Sequence, residues 1–157
     1  MPRKPVIWCA LPLAVFFLII PQLAVAATEP RGEAAHCLAL AMYWEARAEG
    51  AEGMLAVAAV VLNRVAHAEF PDTVCDVVKQ GGEMPPCQFS WWCDGASDRP
   101  TEARAWRLAQ ALARTSLSEA PRDATRGALF FHSTSIASPW VRQRERTVQI
   151  GRHVFYR

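Results

Sequence analysis

Apolar residues recur along this chain in three rhythms, and each predicts a different kind of element. From Glu33 to about Ala48 there is no Pro or Gly. Within that stretch Leu38, Met42, Glu45 and Glu49 fall at i, i+4, i+7 and i+11, which predicts a helix carrying all four on one face. Met54 to Leu62 is apolar on every side and predicts a second helix enclosed by the rest of the domain, ended by Asn63 and Arg64, which are expected to cap it and to hydrogen-bond across the domain. Pro71-Asp72 opens a short helical stretch, Thr73 to Gln80, which Gly81-Gly82 stops. After Pro100, Thr101 to Thr115 is amphipathic, with Ala105, Leu108, Ala109 and Leu112 inward. The period then shortens: Ala128 to His132 predicts a strand, and Thr147–Ile150 with His153–Tyr156 a hairpin around Gly151-Arg152. Helices first and a small antiparallel sheet near the C-terminus make an α+β domain.

The opening of the chain follows none of these patterns. Arg3 and Lys4 precede an uncharged, mostly apolar run from Val6 to Ile20, Pro21 interrupts it, and Ala24-Val25-Ala26 supplies the small residues a signal peptidase reads. Residues 1–26 are therefore expected to be a secretory signal peptide. That leaves 27–157 as one exported domain, periplasmic or extracellular, which touches the membrane only in transit. The alternative is an uncleaved anchor, because Val6 to Thr28 is uncharged and about long enough to span a bilayer. Pro12, Pro21 and the A-x-A site favour cleavage.

Composition sharpens this picture. The 157 residues hold 17 Lys plus Arg and 15 Asp plus Glu; without the first 26 the two classes balance, so charge gives no reason to expect a nucleic-acid partner. Residues 121–157 nevertheless hold seven Arg and two acids. The Arg142, Arg144, Arg146 run reads as a solvated face, with contact to an anionic wall polymer as the alternative. Beyond the leader four cysteines remain, an even number that favours two disulfides in an oxidising compartment. Three pairings are open; Cys87 with Cys93 and Cys37 with Cys75 are favoured. There is no C-x-x-C pair and the histidines are scattered, so neither a metal nor another cofactor is expected.

The candidate chemistry centres on Glu45. A carboxyl on an apolar helix face, near the helix's carboxyl end, is hard to ionise, since burial and the helix dipole both oppose the charge. A carboxyl held protonated near neutral pH suits a general acid that protonates the leaving oxygen of a glycoside. Tyr43 and Trp44 beside it could wall a sugar site; the alternative is a surface glutamate at a frayed helix end. The loop Cys87-Gln-Phe-Ser-Trp-Trp-Cys93 supplies a second candidate site. There Gln88 can donate and accept hydrogen bonds, Phe89 can stack on a sugar face, Ser90 adjoins both, and a bridge would hold the loop in shape. A satellite core of Phe89, Trp91 and Trp92 is the competing reading. His132, on a strand, could line a cleft or be purely structural.

Tyr43-Trp-Glu-Ala-Arg-Ala-Glu-Gly through Val-Val-Leu-Asn-Arg-Val65 and then Phe70-Pro-Asp-Thr-Val-Cys75 resemble the SleB/CwlJ cell wall hydrolase family. Gln88-Phe-Ser90, Phe131-His132, Pro139-Trp140 and Gly151-Arg-His-Val-Phe-Tyr156 extend the resemblance in the family's order. It implies a lysozyme-like fold at 27–157 that acts on the MurNAc-GlcNAc strands of peptidoglycan, with Glu45 as the catalytic acid; the single domain is expected to be a monomer. It implies a lytic transglycosylase, which works with one carboxyl. A hydrolase would need a second, for which Glu49, Glu52 and Asp94 are candidates. A non-catalytic glycan-binding protein on the same fold is the further alternative, because Trp44 stands where the family commonly has Gly, and Ala48 and Gly50 replace the frequent Gly and Pro.

Overall fold

Four helices precede a three-stranded antiparallel sheet along the chain. The computed structural model describes residues 29–119, 122–137 and 139–157. The leader expected at 1–26 lies outside them. No helix among the described residues is long and apolar enough to cross a membrane.

Helix α1, Arg31–Ala46, is the axis of the domain: Leu38, Ala39, Ala41, Met42 and Tyr43 are all within 1% of full burial, so it is enclosed on nearly every side. It packs against α2 (Gly50–Val65), α3 (Val74–Val78) and α4 (Ala103–Glu119). The helical period does not run on to Glu49, as the spacing suggested. Ala46 leaves helical geometry at φ −137°, Arg47–Glu49 form a 3-10 turn, and Gly50, at φ 66° and ψ −156°, takes a conformation open essentially to glycine alone. The chain thereby turns the corner from α1 into α2, and Glu49 leaves the Glu45 face.

Asn63 and Arg64 do not end α2, which continues to Val65; they form its last turn and bind the next layer. Asn63 Nδ2 donates to the Ala128 carbonyl at 3.0 Å and to Asp123 Oδ2 at 3.1 Å, and Arg64 Nε donates to the Leu129 carbonyl at 2.7 Å. Helix α4 starts at Ala103 rather than beside Pro100, because the backbone N–H groups of Thr101 and Glu102 both donate to the Tyr43 hydroxyl, at 3.1 and 3.0 Å.

The sheet consists of β1 (Phe130–Ser133), β2 (Arg146–Ile150) and β3 (His153–Tyr156), with β3 central and buried throughout. Ala56 and Val60 of α2 meet Ala128, Ile150 and Phe155 in a small core of their own, which seats the sheet on the helices. Glu49 fastens the β2–β3 turn from below: its Oε2 accepts the Arg152 N–H at 3.0 Å. A Cβ on Gly151, itself at φ 54°, would collide with that same oxygen. Gly151→Ala is therefore expected to destabilise the domain by about 2 kcal/mol, measured by denaturant unfolding. An unchanged unfolding midpoint would mean that the clamp yields.

Cys37 bridges to Cys75, tying α1 to α3, and Cys87 bridges to Cys93, closing the loop before α4.

Candidate active site

Glu45 lies in the last turn of α1, where side chains from two other elements act on its carboxyl. Trp91 approaches from the 3-10 turn Ser90–Cys93, and Arg64 from the end of α2, itself held by the Leu129 carbonyl just before β1. The residue keeps some exposure, as an acid that must reach its substrate requires, but the carboxyl is largely withdrawn from water. Burial raises its pKa from the usual 4.5 to about 7, against the opposing pull of the Trp91 indole N–H and the Arg64 charge. That N–H is buried and completes no hydrogen bond within ordinary geometry, so it remains available. Among the described residues no other carboxylate is near enough to perturb Glu45.

Arg64 is the second centre of the site. It is 1% exposed, and its guanidinium stands over the rings of Phe70, Phe89 and Phe130 at 5.3, 5.7 and 5.6 Å. Its Nη2 and Nη1 donate to Gln88 Oε1 at 3.1 and 3.2 Å, in the amide orientation that sets an acceptor against the guanidinium donors. Burial lowers the Arg64 pKa to about 10, so it stays charged at neutral pH. Arg144 stacks 3.3 Å from the Phe130 ring centre, and its like charge also acts on Arg64.

The residues picked out from the sequence divide between this centre and the frame around it. Gln88 and Ser90 are exposed on the loop beside Arg64. Phe89 is 3% exposed and packs beneath the guanidinium, so it is unavailable for stacking on a sugar. Tyr43 is 1% exposed with its hydroxyl engaged by the α4 start; it builds the frame and offers no wall to a ligand. Trp44 turns into the loop before α4, donating its N–H to the Asp98 carbonyl at 3.2 Å and stacking on Trp91.

His132 has both ring nitrogens occupied. Nδ1 faces the Ser133 carbonyl at 2.8 Å, which can only accept, so Nδ1 carries the proton and Nε2 accepts from the Tyr156 hydroxyl at 3.0 Å. With Ile136, Val141 and Arg142 the ring lines a depression of about 560 Å³ over the sheet, whose lining does not include Glu45.

The three other acids have separate places. Glu49 holds the β2–β3 turn and faces His153 Nδ1 at 3.4 Å, Glu52 is exposed in the first turn of α2, and Asp94 Oδ1 accepts the Ala96 N–H at 2.7 Å. Glu29, Cys37 and Cys75 come within 4.8 Å of one another, yet the two sulfurs are bonded to each other and offer no thiolate to a metal.

Trp91 and Arg64 are the residues acting on Glu45 that the sequence did not place beside it. Trp91 reads equally well as core. Arg64 gave one signal, a cation two residues past a run of nine apolar residues, where a charge needs a buried partner.

Helices first, a small antiparallel sheet last and one withdrawn glutamate at the end of the central helix define a lysozyme-like α+β domain. The chain belongs to the cell wall hydrolase family, whose sequence profile matches residues 48–156. The catalytic domain of the germination-specific lytic transglycosylase SleB from Bacillus anthracis shares the fold, at 31% identity and TM-score 0.64 over 83% of this chain and 98% of that one. The catalytic domain of Bacillus cereus SleB is similar at 27% identity and TM-score 0.59, covering 84% and 100%. Among curated proteins, the spore cortex-lytic enzymes of Oceanobacillus iheyensis and Bacillus subtilis are 36% and 33% identical over 121 and 138 residues. These alignments cover 75% and 85% of this chain but 39% and 42% of the relatives, so the chain spans about two-fifths of their length.

Proposed function

We propose that this protein is an exported lytic transglycosylase that cleaves the glycan strands of peptidoglycan as a single chain, with Glu45 as both acid and base. One observation carries the reading: Glu45 is a carboxyl of pKa about 7 with no second carboxylate acting on it among the described residues. A retaining glycosidase places its two carboxyl groups about 5 Å apart, a distance at which each perturbs the other strongly. Among the described residues the only charge acting on Glu45 is that of Arg64.

The chemistry then needs one group. Protonated Glu45 gives its proton to the glycosidic oxygen as the bond to the muramic anomeric carbon breaks. The resulting carboxylate takes a proton from the C6 hydroxyl of the same sugar, whose oxygen bonds to that carbon and closes a 1,6-anhydro ring. No water is consumed. Gln88, Ser90 and His132 are the residues proposed to contact the glycan, from the loop and the sheet. The leader at 1–26 would take the protein to that substrate, in the periplasm or outside the cell.

Digestion of purified peptidoglycan in ¹⁸O-enriched water tests this directly. Transglycosylation leaves every released fragment unlabelled, and one heavy oxygen per new end would instead mean hydrolysis. The pH profile supplies a second check. Glu45 acts first as an acid, so turnover is expected to fall about tenfold per pH unit above pH 7. A rate that holds constant to pH 9 would remove Glu45 from that role.

A further inference from the structure

The chain carries a charged side chain that the reaction itself does not require, sealed beneath the site. A guanidinium withdrawn from water needs acceptors for its N–H groups, and Arg64 has them at all three nitrogens: the Leu129 carbonyl at Nε and the Gln88 oxygen at Nη1 and Nη2. None of these bonds goes to Glu45, although the guanidinium charge reaches it.

We propose that Arg64 is a positioning residue that fixes Gln88 as a one-way donor to the substrate and holds a cation beside Glu45 without hydrogen-bonding it. This rests on the reading of Glu45 as the acid. A free glutamine amide turns over at little expense, presenting either its oxygen or its NH2. Against the Arg64 fork only one orientation is acceptable, since the other would oppose N–H to N–H. The oxygen faces the Arg64 fork, which turns the NH2 of this exposed residue away from the guanidinium. The site therefore seeks an acceptor, and on an N-acetylated glycan the strongest neutral one is the acetamido carbonyl oxygen.

The same arrangement serves Glu45. When the acid gives up its proton, an anion forms in a site poor in water, where a fixed nearby cation stabilises it without reorganisation. Because the hydrogen bonds of Arg64 go elsewhere, the guanidinium does not compete with the C6 hydroxyl for the Glu45 carboxylate. The other group that faces Glu45 is the Trp91 indole N–H; Arg144, stacked on Phe130, acts on Arg64.

The test compares wild type, Gln88→Glu and Gln88→Leu, because replacing buried Arg64 can unfold the domain whereas position 88 is exposed. Each is followed by thermal melting, by carboxyl-carbon NMR titration of Glu45, and by KM and kcat on peptidoglycan fragments. Gln88→Glu neutralises Arg64 and is expected to raise the Glu45 midpoint by about one pH unit, moving the alkaline limb of turnover up with it. Gln88→Leu leaves the Arg64 charge in place, so the midpoint should stay put while KM rises about tenfold from loss of the donor. An unmoved Glu45 midpoint in folded Gln88→Glu overturns the electrostatic half of the proposal, and an unmoved KM in Gln88→Leu overturns the orienting half. The titration needs no turnover. A protein that shows the midpoint shift yet cleaves nothing would keep the Arg64 assignment and sink the enzymatic reading instead.

Discussion

Glu45→Gln is expected to reduce the release of soluble glycan fragments by about a thousandfold while leaving the domain folded, and more stable than wild type at alkaline pH. Both effects have one origin. The carboxyl titrates near 7 in the folded chain and near 4.5 when exposed, so between these values the folded state holds a proton that the unfolded state has released. Stability contributed by this group is therefore complete below about pH 4.5, declines as pH rises to about 7, and is flat above. Glutamine has the same shape and no charge to bury. The variant should melt with wild type at pH 4 and above it at pH 8. Loss of activity with a lower melting temperature at pH 8 would point to a structural role for Glu45. Undiminished activity would show that the acid is another residue.

Removing the Cys37–Cys75 bridge is expected to lower stability more than any single surface change. The bridge spans 38 residues of sequence, and the lost constraint on the unfolded chain corresponds to about 4 kcal/mol. That is a large part of the roughly 5–15 kcal/mol that holds a domain of this size together. Both cysteines are buried at the contact of α1 with α3. The double variant Cys37→Ala/Cys75→Ala should therefore unfold at markedly lower denaturant concentration, and an unshifted midpoint would show that packing alone fixes α3. The Cys87–Cys93 bridge closes a separation of only 6 residues and should contribute about 2 kcal/mol. Its loss would be felt first at Gln88, as a weaker KM.

Much of the architecture was legible because the elements announce themselves locally. The apolar run from Met54 to Leu62 is helical and enclosed, and the hairpin around Gly151-Arg152 turns where the glycine stands. Glu45 was legible as a carboxylate where the period calls for an apolar side chain. What escaped the sequence depends on partners far along the chain. Periodicity carried α1 through Glu49, whereas the backbone breaks at Ala46 and sends Glu49 to the sheet, 103 residues away at Arg152. Tyr43 adjoins the candidate acid in sequence, yet its hydroxyl serves the start of α4, 58 and 59 residues on. Arg64 lay at the edge of an apolar helix and read as a cap that hydrogen-bonds across the domain, which it does at the Leu129 carbonyl. Only the assembled fold encloses it with three phenylalanines, Gln88 and the Leu129 carbonyl.

The decisive measurement is mass spectrometry of the soluble products that the purified protein and its Glu45→Gln variant release from peptidoglycan. Anhydromuropeptides from the wild type, and none above background from the variant, are the expected result. Reducing-end muropeptides, equal release by both proteins, or binding without any release would each refute a single-glutamate transglycosylase.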